Sequence, residues 1–110
     1  MHCASIVLNI AHDKAEEFER GFREHELPTH RDLYERGLLV MSTLSRCDDI
    51  STNRVDGAVQ YLVIAVFHDM AGHTAHDDDP RFKAWNEMAD AYQVQQPFVF
   101  GGNSVVNTGP

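Results

Sequence analysis

The order of hydrophobic and polar positions along the chain predicts four strands and two helices. Runs in which apolar residues alternate or are nearly continuous predict strands over residues 3–10, 38–47, 58–68 and 97–107. A spacing of three to four residues between apolar positions predicts a first helix over residues 13–37, interrupted at Pro28, and a second over residues 80–93. Asp13 and Glu16 have the spacing of a capping box that opens the first helix.

The element order β-α-β-β-α-β predicts an α+β fold. Two βαβ halves with right-handed crossovers form a ferredoxin-like sandwich, in which a four-stranded antiparallel sheet carries both helices on one face. We expect residues 1–107 to form this single domain and residues 108–110 to be a loose tail. The sheet face without helices would expose apolar side chains, so we expect a second copy of the chain to cover it in a homodimer.

Composition and charge argue against several function classes. Nine Lys and Arg against seventeen Asp and Glu give a net charge of −8, which disfavours partners such as nucleic acids and anionic membranes. The chain start lacks the basic region of a signal peptide, and no segment has the roughly 20 apolar residues of a membrane span.

Cys3 and Cys47 fall at opposite ends of the predicted sheet, so free thiols and a cytoplasmic location are expected. No nucleotide, flavin or phosphate motif is present, and no cofactor is expected.

Two histidines of the first helix are candidate catalytic bases. His25 or Glu26 continues the apolar stripe of Phe18 and Phe22, and His25 at that place could face a pocket between helix and sheet. The alternative is a structural histidine that is hydrogen-bonded to a carbonyl freed by Pro28. His30 is the second candidate, and its alternative is a solvent-facing side chain in a helical turn.

A third catalytic candidate and four aromatic residues complete the predicted site. Asn9 lies on the mixed face of the first strand and could point into a barrel between subunits, or be a hydrogen-bonded structural residue. The aromatic residues could line a flat pocket for a small-molecule ligand between helices and sheet, or pack as plain core. They are Tyr61, Phe82, Trp85 and Phe100.

The segment 68–80, HDMAGHTAHDDDP, has two interpretations. Asp69, His73 and His76 are spaced to share one helix face, and zinc accepts such ligands. The three aspartates before Pro80 instead fit a polar joint that leaves the third strand and begins the second helix. We favour the joint and expect no metal, although the spacing alone leaves a metal site open.

Nearly the whole chain resembles the dimeric α/β-barrel superfamily. Residues 79–85, DPRFKAW, resemble the second-helix segment of the antibiotic-biosynthesis monooxygenases, and residues 30–39, HRDLYERGLL, are similar to a segment of YciI-like proteins. The first resemblance implies a ligand between helices and sheet and cofactor-independent oxygenation of aromatic, polyketide-like compounds. The second implies an acid–base pair of His30 with Asp48 or Asp49.

The heme-degrading members of this superfamily are a less suitable comparison. They use an Asn on the first strand, a Trp before the second helix and a heme-ligating His inside it. This chain has Asn9, but His76 and Asn86 stand at the other two positions. The resemblance therefore does not predict heme.

The leading hypothesis is a homodimeric small-molecule enzyme, either a cofactor-independent monooxygenase or a related proton-transfer enzyme of secondary or catabolic metabolism. The alternatives are a YciI-like acid–base protein and a non-catalytic, stress-associated dimer that only binds a ligand. The sequence does not identify the substrate, because a fold-level resemblance carries little information about the reaction.

Overall fold

The computed structural model describes residues 1–109 and contains one four-stranded antiparallel sheet. Its strands are β1 (His2–Ala11), β2 (Leu39–Arg46), β3 (Ala58–Phe67) and β4 (Phe98–Asn103). The spatial order is β2-β3-β1-β4, with β3 between the first two strands. This order and the helices between the strands confirm the ferredoxin-like α+β fold. The last strand is shorter than predicted, and Pro110 of the expected tail lies outside the described residues.

The first helical run is continuous and changes its hydrogen bonding before Pro28. It consists of α1 (Ala15–Gly21), a π-helical turn (Phe22–Glu26) and α2 (Leu27–Glu35). The N–H of Leu27 donates to the carbonyl of Phe22, five residues back, and Pro28 follows at the start of α2. An interruption of the α-helix is therefore confirmed, but its predicted position at Pro28 is wrong, because the wider turn ends where the proline begins a new α-helical segment.

The predicted capping box of the first helix is also wrong. A short 3-10 turn, His12–Lys14, precedes α1, and no side chain caps either of them. Because the turn occupies the residues that would form the box, the carboxylate of Asp13 cannot act as the cap.

The segment after β3 that was predicted to be a polar joint forms an additional helix. It is α3 (Met70–Asp78), and α4 (Pro80–Asp90) follows after one residue. Asp69 caps α3 by accepting a hydrogen bond from the backbone N–H of Gly72, at 3.3 Å. Asp79 caps α4 in the same way through the N–H of Arg81, at 2.8 Å. Asp69 and Asp79 therefore each begin a helix, whereas Asp77 and Asp78 of the predicted joint are the last two residues of α3.

The helices pack on one face of the sheet. Alternate residues of β1 and β3 face the helices and are the most buried part of the sheet, which follows from the two-residue period of a strand. The buried ones are Ala4, Ile10, Tyr61, Val63, Ala65 and Phe67. The intervening residues face the opposite side, where the loop after β2 covers one end through hydrogen bonds from Gln60 to Asn53.

The two cysteines are free and lie at opposite ends of the sheet, as predicted. Cys3 pairs with Val66, whereas the N–H of Cys47 donates to the carbonyl of Gln60, six residues earlier on β3. Six residues of strand span about 20 Å, far beyond disulfide reach. Within residues 1–109, no helix is long and apolar enough to cross a membrane.

Gly72 allows α3 to approach the sheet closely, so Gly72→Ala should destabilise the fold. A Cβ at this position would lie 2.7 Å from the carbonyl oxygen of Leu38 and 3.2 Å from the Phe67 ring. We expect the free energy of unfolding, measured in urea, to fall by about 1–3 kcal/mol because the helix must shift. Gly102→Ala is the control, since its Cβ would meet no atom within 4 Å. Equal losses in the two variants would contradict this account of Gly72.

Candidate functional site

A cavity of about 430 Å³ lies between the helices and the sheet. Its floor includes Ala4 and Ala65, which are direct partners on β1 and β3 and leave room above the sheet because their side chains are small. Most of the remaining lining is apolar or aromatic. It includes Ile6, Leu8, Phe18, Phe22, Val63, Phe67, Phe82, Trp85, Ala89 and Val99. Such a cavity suits an apolar small molecule.

A cluster of three buried polar residues lines the cavity where β3 ends. Oε1 of Glu26 lies 3.0 Å from Nε2 of His30 and 2.7 Å from Nε2 of His76. All three side chains are buried, and the ring of Phe82 packs on His76 at a centroid distance of 4.2 Å. One carboxylate oxygen thus joins two imidazoles inside the protein. We call this set the Glu26–His30–His76 cluster.

The first helical run and α3 bring the cluster together. Glu26 ends the π-helical turn and His30 lies four residues later on α2, so the two side chains share one face of the run. His76 comes from α3 and lies fifty residues after Glu26 in the chain. Because π-helical turns often occur at functional sites, the turn that aims Glu26 inward is itself a pointer to function.

Each histidine of the cluster is held at its other nitrogen. Nδ1 of His30 lies 2.8 Å from Oγ of Ser42 on β2. Nδ1 of His76 lies 2.9 Å from Oδ1 of its neighbour Asp77. These partners orient both rings, and Asp77 places a second negative charge beside His76.

The cluster favours the charged forms of Glu26 and His76. Burial, the largest single effect on Glu26, raises its pKa, but hydrogen bonds from His30 and His76 and their charges outweigh burial, so the pKa is lowered. Burial likewise lowers the pKa of His76, but the hydrogen bond and charge of Glu26, together with those of Asp77, raise it overall. The result is a carboxylate and an imidazolium held side by side.

A further pair of histidines connects to the cluster through Asp77. Nε2 of His73 lies 3.2 Å from Oδ2 of Asp77, and its Nδ1 lies 2.8 Å from Nε2 of His2. The His73 ring stacks on Phe67 at a centroid distance of 5.2 Å. Burial lowers the pKa of His73, and the nearby His2 and His76 add to this effect while Asp77 opposes it. The polar network therefore extends from the cluster to β1.

Solved structures share this architecture over the whole chain. A protein from Nitrosomonas europaea assigned as an antibiotic biosynthesis monooxygenase has a TM-score of 0.75 at 12% identity, over 98% of this chain and 93% of that chain. One from Caulobacter crescentus with the same assignment has a TM-score of 0.67 at 19% identity, over 96% and 90%. SnoaB, a cofactor-independent oxygenase from Streptomyces nogalater, has a TM-score of 0.66 at 17% identity, over 96% and 95%.

The chain has the fold of the antibiotic biosynthesis monooxygenases. Neither a family model nor a curated protein sequence matches it. Because the structural relatives are less than 20% identical to this chain, the likeness concerns the fold, and the reaction has to be argued from the residues of the cavity.

Three of the residues singled out in the sequence line the cavity, and one lies beside it. His30, Phe82 and Trp85 are lining residues. His25 is exposed and stacks on the outer side of Trp85, with ring centroids 5.8 Å apart. The apolar stripe that suggested an inward-facing His25 instead turns Glu26 inward, because the π-helical turn shifts the inward face.

The other three singled-out residues lie elsewhere. Tyr61 is buried under α1, where its hydroxyl donates to Glu19 at 2.5 Å, and burial together with this partner raises the pKa of Tyr61. Phe100 lies on the opposite face of the sheet, since it pairs with Ser5 rather than with a helix-facing residue. Asn9 is fully buried beneath the loop after β2, and its Oδ1 accepts a hydrogen bond from Gln60 at 3.2 Å.

The prediction that His30 pairs with Asp48 or Asp49 is wrong. Asp48 and Asp49 are exposed in the loop after β2, whereas His30 contacts Glu26 and Ser42. The spacing of four residues between Glu26 and His30 on one helix was the signal available in the sequence.

The ligand set proposed from segment 68–80 does not converge. Asp69 caps α3, His73 turns toward His2, and His76 turns toward Glu26. Among residues 1–109, the groups whose ligand atoms do converge, all within 4.8 Å of one another, are Glu26, His30 and His76.

Ser42→Ala should destabilise the protein by removing the hydrogen-bond partner of His30 Nδ1. We expect a loss of about 1 kcal/mol in the free energy of unfolding, because the buried ring nitrogen is left unpaired. Ser45→Ala is the matched control on the same strand. Ser45 is exposed on the opposite face, so its change should stay within about 0.5 kcal/mol. Similar losses in both variants would show that the contact does not stabilise the cluster.

Proposed function

We propose that this protein is a homodimeric, monooxygenase-like enzyme that withdraws a proton from an apolar small molecule. The observation that carries the proposal is the buried Glu26–His30–His76 cluster in a largely apolar cavity. Buried carboxylates and histidines are costly to keep in a protein interior, and they concentrate at catalytic sites. The shared fold with a cofactor-independent oxygenase adds support by analogy.

The cavity favours a flat, cyclic and largely apolar substrate. Phe22, Phe82 and Trp85 offer ring faces, and the two alanines of the floor leave the space open. A volume of about 430 Å³ is in the range of small-molecule pockets. Because the buried polar groups of the lining form one cluster, the acidic C–H or O–H of the substrate would be directed there.

The cluster supplies a base and a stabilising cation for this chemistry. The carboxylate of Glu26 takes a proton from an activated CH₂ group, and the imidazolium of His76 stabilises the anion that forms. The carbanion transfers one electron to O₂, and the resulting radical and superoxide combine with a proton to give a hydroperoxide. Loss of water then leaves a carbonyl group. The sum is R₂CH₂ + O₂ → R₂C=O + H₂O, and the substrate itself supplies all the electrons, so no cofactor is required.

A proton-transfer reaction without oxygen is the second candidate function. The 3.0 Å contact between His30 and Glu26 favours it, because a histidine–carboxylate pair can take and return a proton. The YciI-like resemblance implied such a pair for His30, but with a different carboxylate. A non-catalytic ligand-binding dimer would use the same cavity without exchanging a proton. A cytoplasmic location remains part of the proposal, in keeping with the two free thiols.

The open face of the sheet supports the proposed homodimer. It presents a continuous set of apolar side chains that no helix covers, and such a patch is unusual on a monomer. The set includes Val7, Leu62, Ile64, Val66, Phe98 and Phe100. A second copy of the same face would cover it.

Phe100→Glu should convert the dimer into monomers. Phe100 is 59% exposed in the single chain, so a dimer would bury the new carboxylate without a partner. We expect the dissociation constant from sedimentation velocity to rise by roughly 30-fold or more. Met88→Glu is the control, because Met88 is 45% exposed but lies on α4, on the helix side. A wild-type monomer at micromolar concentration, or an F100E variant that stays dimeric, would contradict the proposal.

Glu26→Gln should abolish proton withdrawal. We use anthrone, a flat aromatic ketone with an activated CH₂, in chelator-treated buffer. Its exchange of deuterium from the solvent is measured without O₂, and oxygen uptake is measured with O₂. Loss of the general base should slow both rates by about 10²- to 10⁴-fold relative to the wild type. His12→Gln is the control, since His12 is exposed near the far end of the sheet.

The two measurements separate the candidate functions. Exchange together with oxygen uptake supports the monooxygenase, and exchange alone supports the proton-transfer enzyme. Saturable binding of anthrone with neither activity would leave a ligand-binding protein. Activity that persists in Glu26→Gln would overturn the role of the cluster.

A further inference from the structure

The Glu26–His30–His76 cluster has the donor set of a metal site. It offers two imidazole nitrogens and one carboxylate oxygen, with distances of 2.7 Å and 3.0 Å from Oε1 to the two Nε2 atoms. Ligands about 2.1 Å from a metal ion and at right angles to each other are about 3 Å apart. The ligand atoms of the three residues all lie within 4.8 Å of one another, so small side-chain movements would bring all three within reach of one ion.

The two carboxylates that face His76 require a positive charge between its ring and Glu26. Nδ1 faces the carboxylate of Asp77 and Nε2 faces that of Glu26. Both carboxylates accept hydrogen bonds and neither donates one, whereas a neutral imidazole carries a single N–H. A cation must therefore lie between Nε2 and Oε1, and this cation can be a proton or a metal ion. The two carboxylates together balance the charge of a divalent ion.

The second nitrogens of both rings are already in the arrangement that metal-ligating histidines use. Nδ1 of His76 is held by Asp77 and Nδ1 of His30 by Ser42 Oγ. Such partners orient the ring, leave Nε2 as the ligand atom and increase its basicity. Ser42 can accept the hydrogen bond from His30, because its hydroxyl rotates to suit either role.

We propose that the Glu26–His30–His76 cluster binds one divalent first-row transition-metal ion per chain. Two histidines and one carboxylate are a ligand set of catalytic zinc sites and of non-heme iron sites. Because the three residues line the cavity, the remaining coordination positions face the space where a small molecule would bind. A bound metal occupies the atoms that otherwise take the proton, so it would slow the cofactor-free reaction proposed above.

The test measures metal affinity rather than activity. The full chain is stripped with a chelator and titrated with Co²⁺, whose visible absorption bands report the ligands, and Zn²⁺ is then added as a competitor. We expect saturation at one Co²⁺ per chain and displacement by Zn²⁺. Asp77→Asn should weaken binding by roughly 10- to 100-fold, because it loses the group that orients His76.

Loss of a ligand should cost more than loss of Asp77. Glu26→Gln and His76→Gln should therefore each weaken Co²⁺ binding by more than roughly 100-fold, while His12→Gln leaves it unchanged. Folding of each variant is checked by circular dichroism, and His30→Gln provides a third ligand deletion if another variant does not fold. The proposal is overturned if the wild type takes up neither ion, or if the folded ligand variants bind like the wild type. Neither result affects the outcome of the deuterium-exchange assay, which is run in chelator-treated buffer, so the two proposals can fail independently.

Discussion

The hydrogen bonds that meet at one oxygen of Glu26 are the constraint on which the arrangement of this site depends. Oε1 lies 3.0 Å from His30 of α2 and 2.7 Å from His76 of α3. The carboxylate therefore joins the first helical run to a helix that follows the third strand. A buried carboxylate without such partners would be destabilised by several kcal/mol, so the position of α3 and the charge of Glu26 depend on each other.

Backbone geometry allows this contact at both ends. The π-helical turn before Pro28 rotates the following residue positions, so that Glu26 points to the sheet and His25 to solvent. On the other side, Gly72 lets α3 lie against the carbonyl of Leu38. The turn is a local departure from a regular helix, whereas Gly72 keeps the helix regular and contributes only its lack of a side chain. Such departures are common near functional sites, where they aim side chains that a regular helix would turn elsewhere.

The sequence predicted the sheet well and the site only in part. Alternating or nearly continuous runs of apolar residues placed the first three strands within one or two residues, because strands bury apolar side chains with a period of two or on both faces. It could not place Phe100, since the register with β1 decides which face of the sheet that residue occupies. Glu26 was an alternative to His25 on the inward stripe but was given no role in the site, because the partner that makes its burial favourable, His76, comes from a helix fifty residues away. The sequence pattern did not predict that helix, because its segment contains a glycine and a run of aspartates.

The separation of the two sheet faces explains how one small chain can carry both a cavity and the proposed dimer interface. On the helix side, Ala4 and Ala65 face each other across β1 and β3, and their small side chains leave space beneath the helices. On the other side, their sequence neighbours Ser5 and Ile64 also pair, and they point away from the cavity. Because neighbouring residues of a strand point in opposite directions, different residues line the cavity and the open face. Substitutions that reshape the cavity therefore fall on residues other than those of the proposed dimer face.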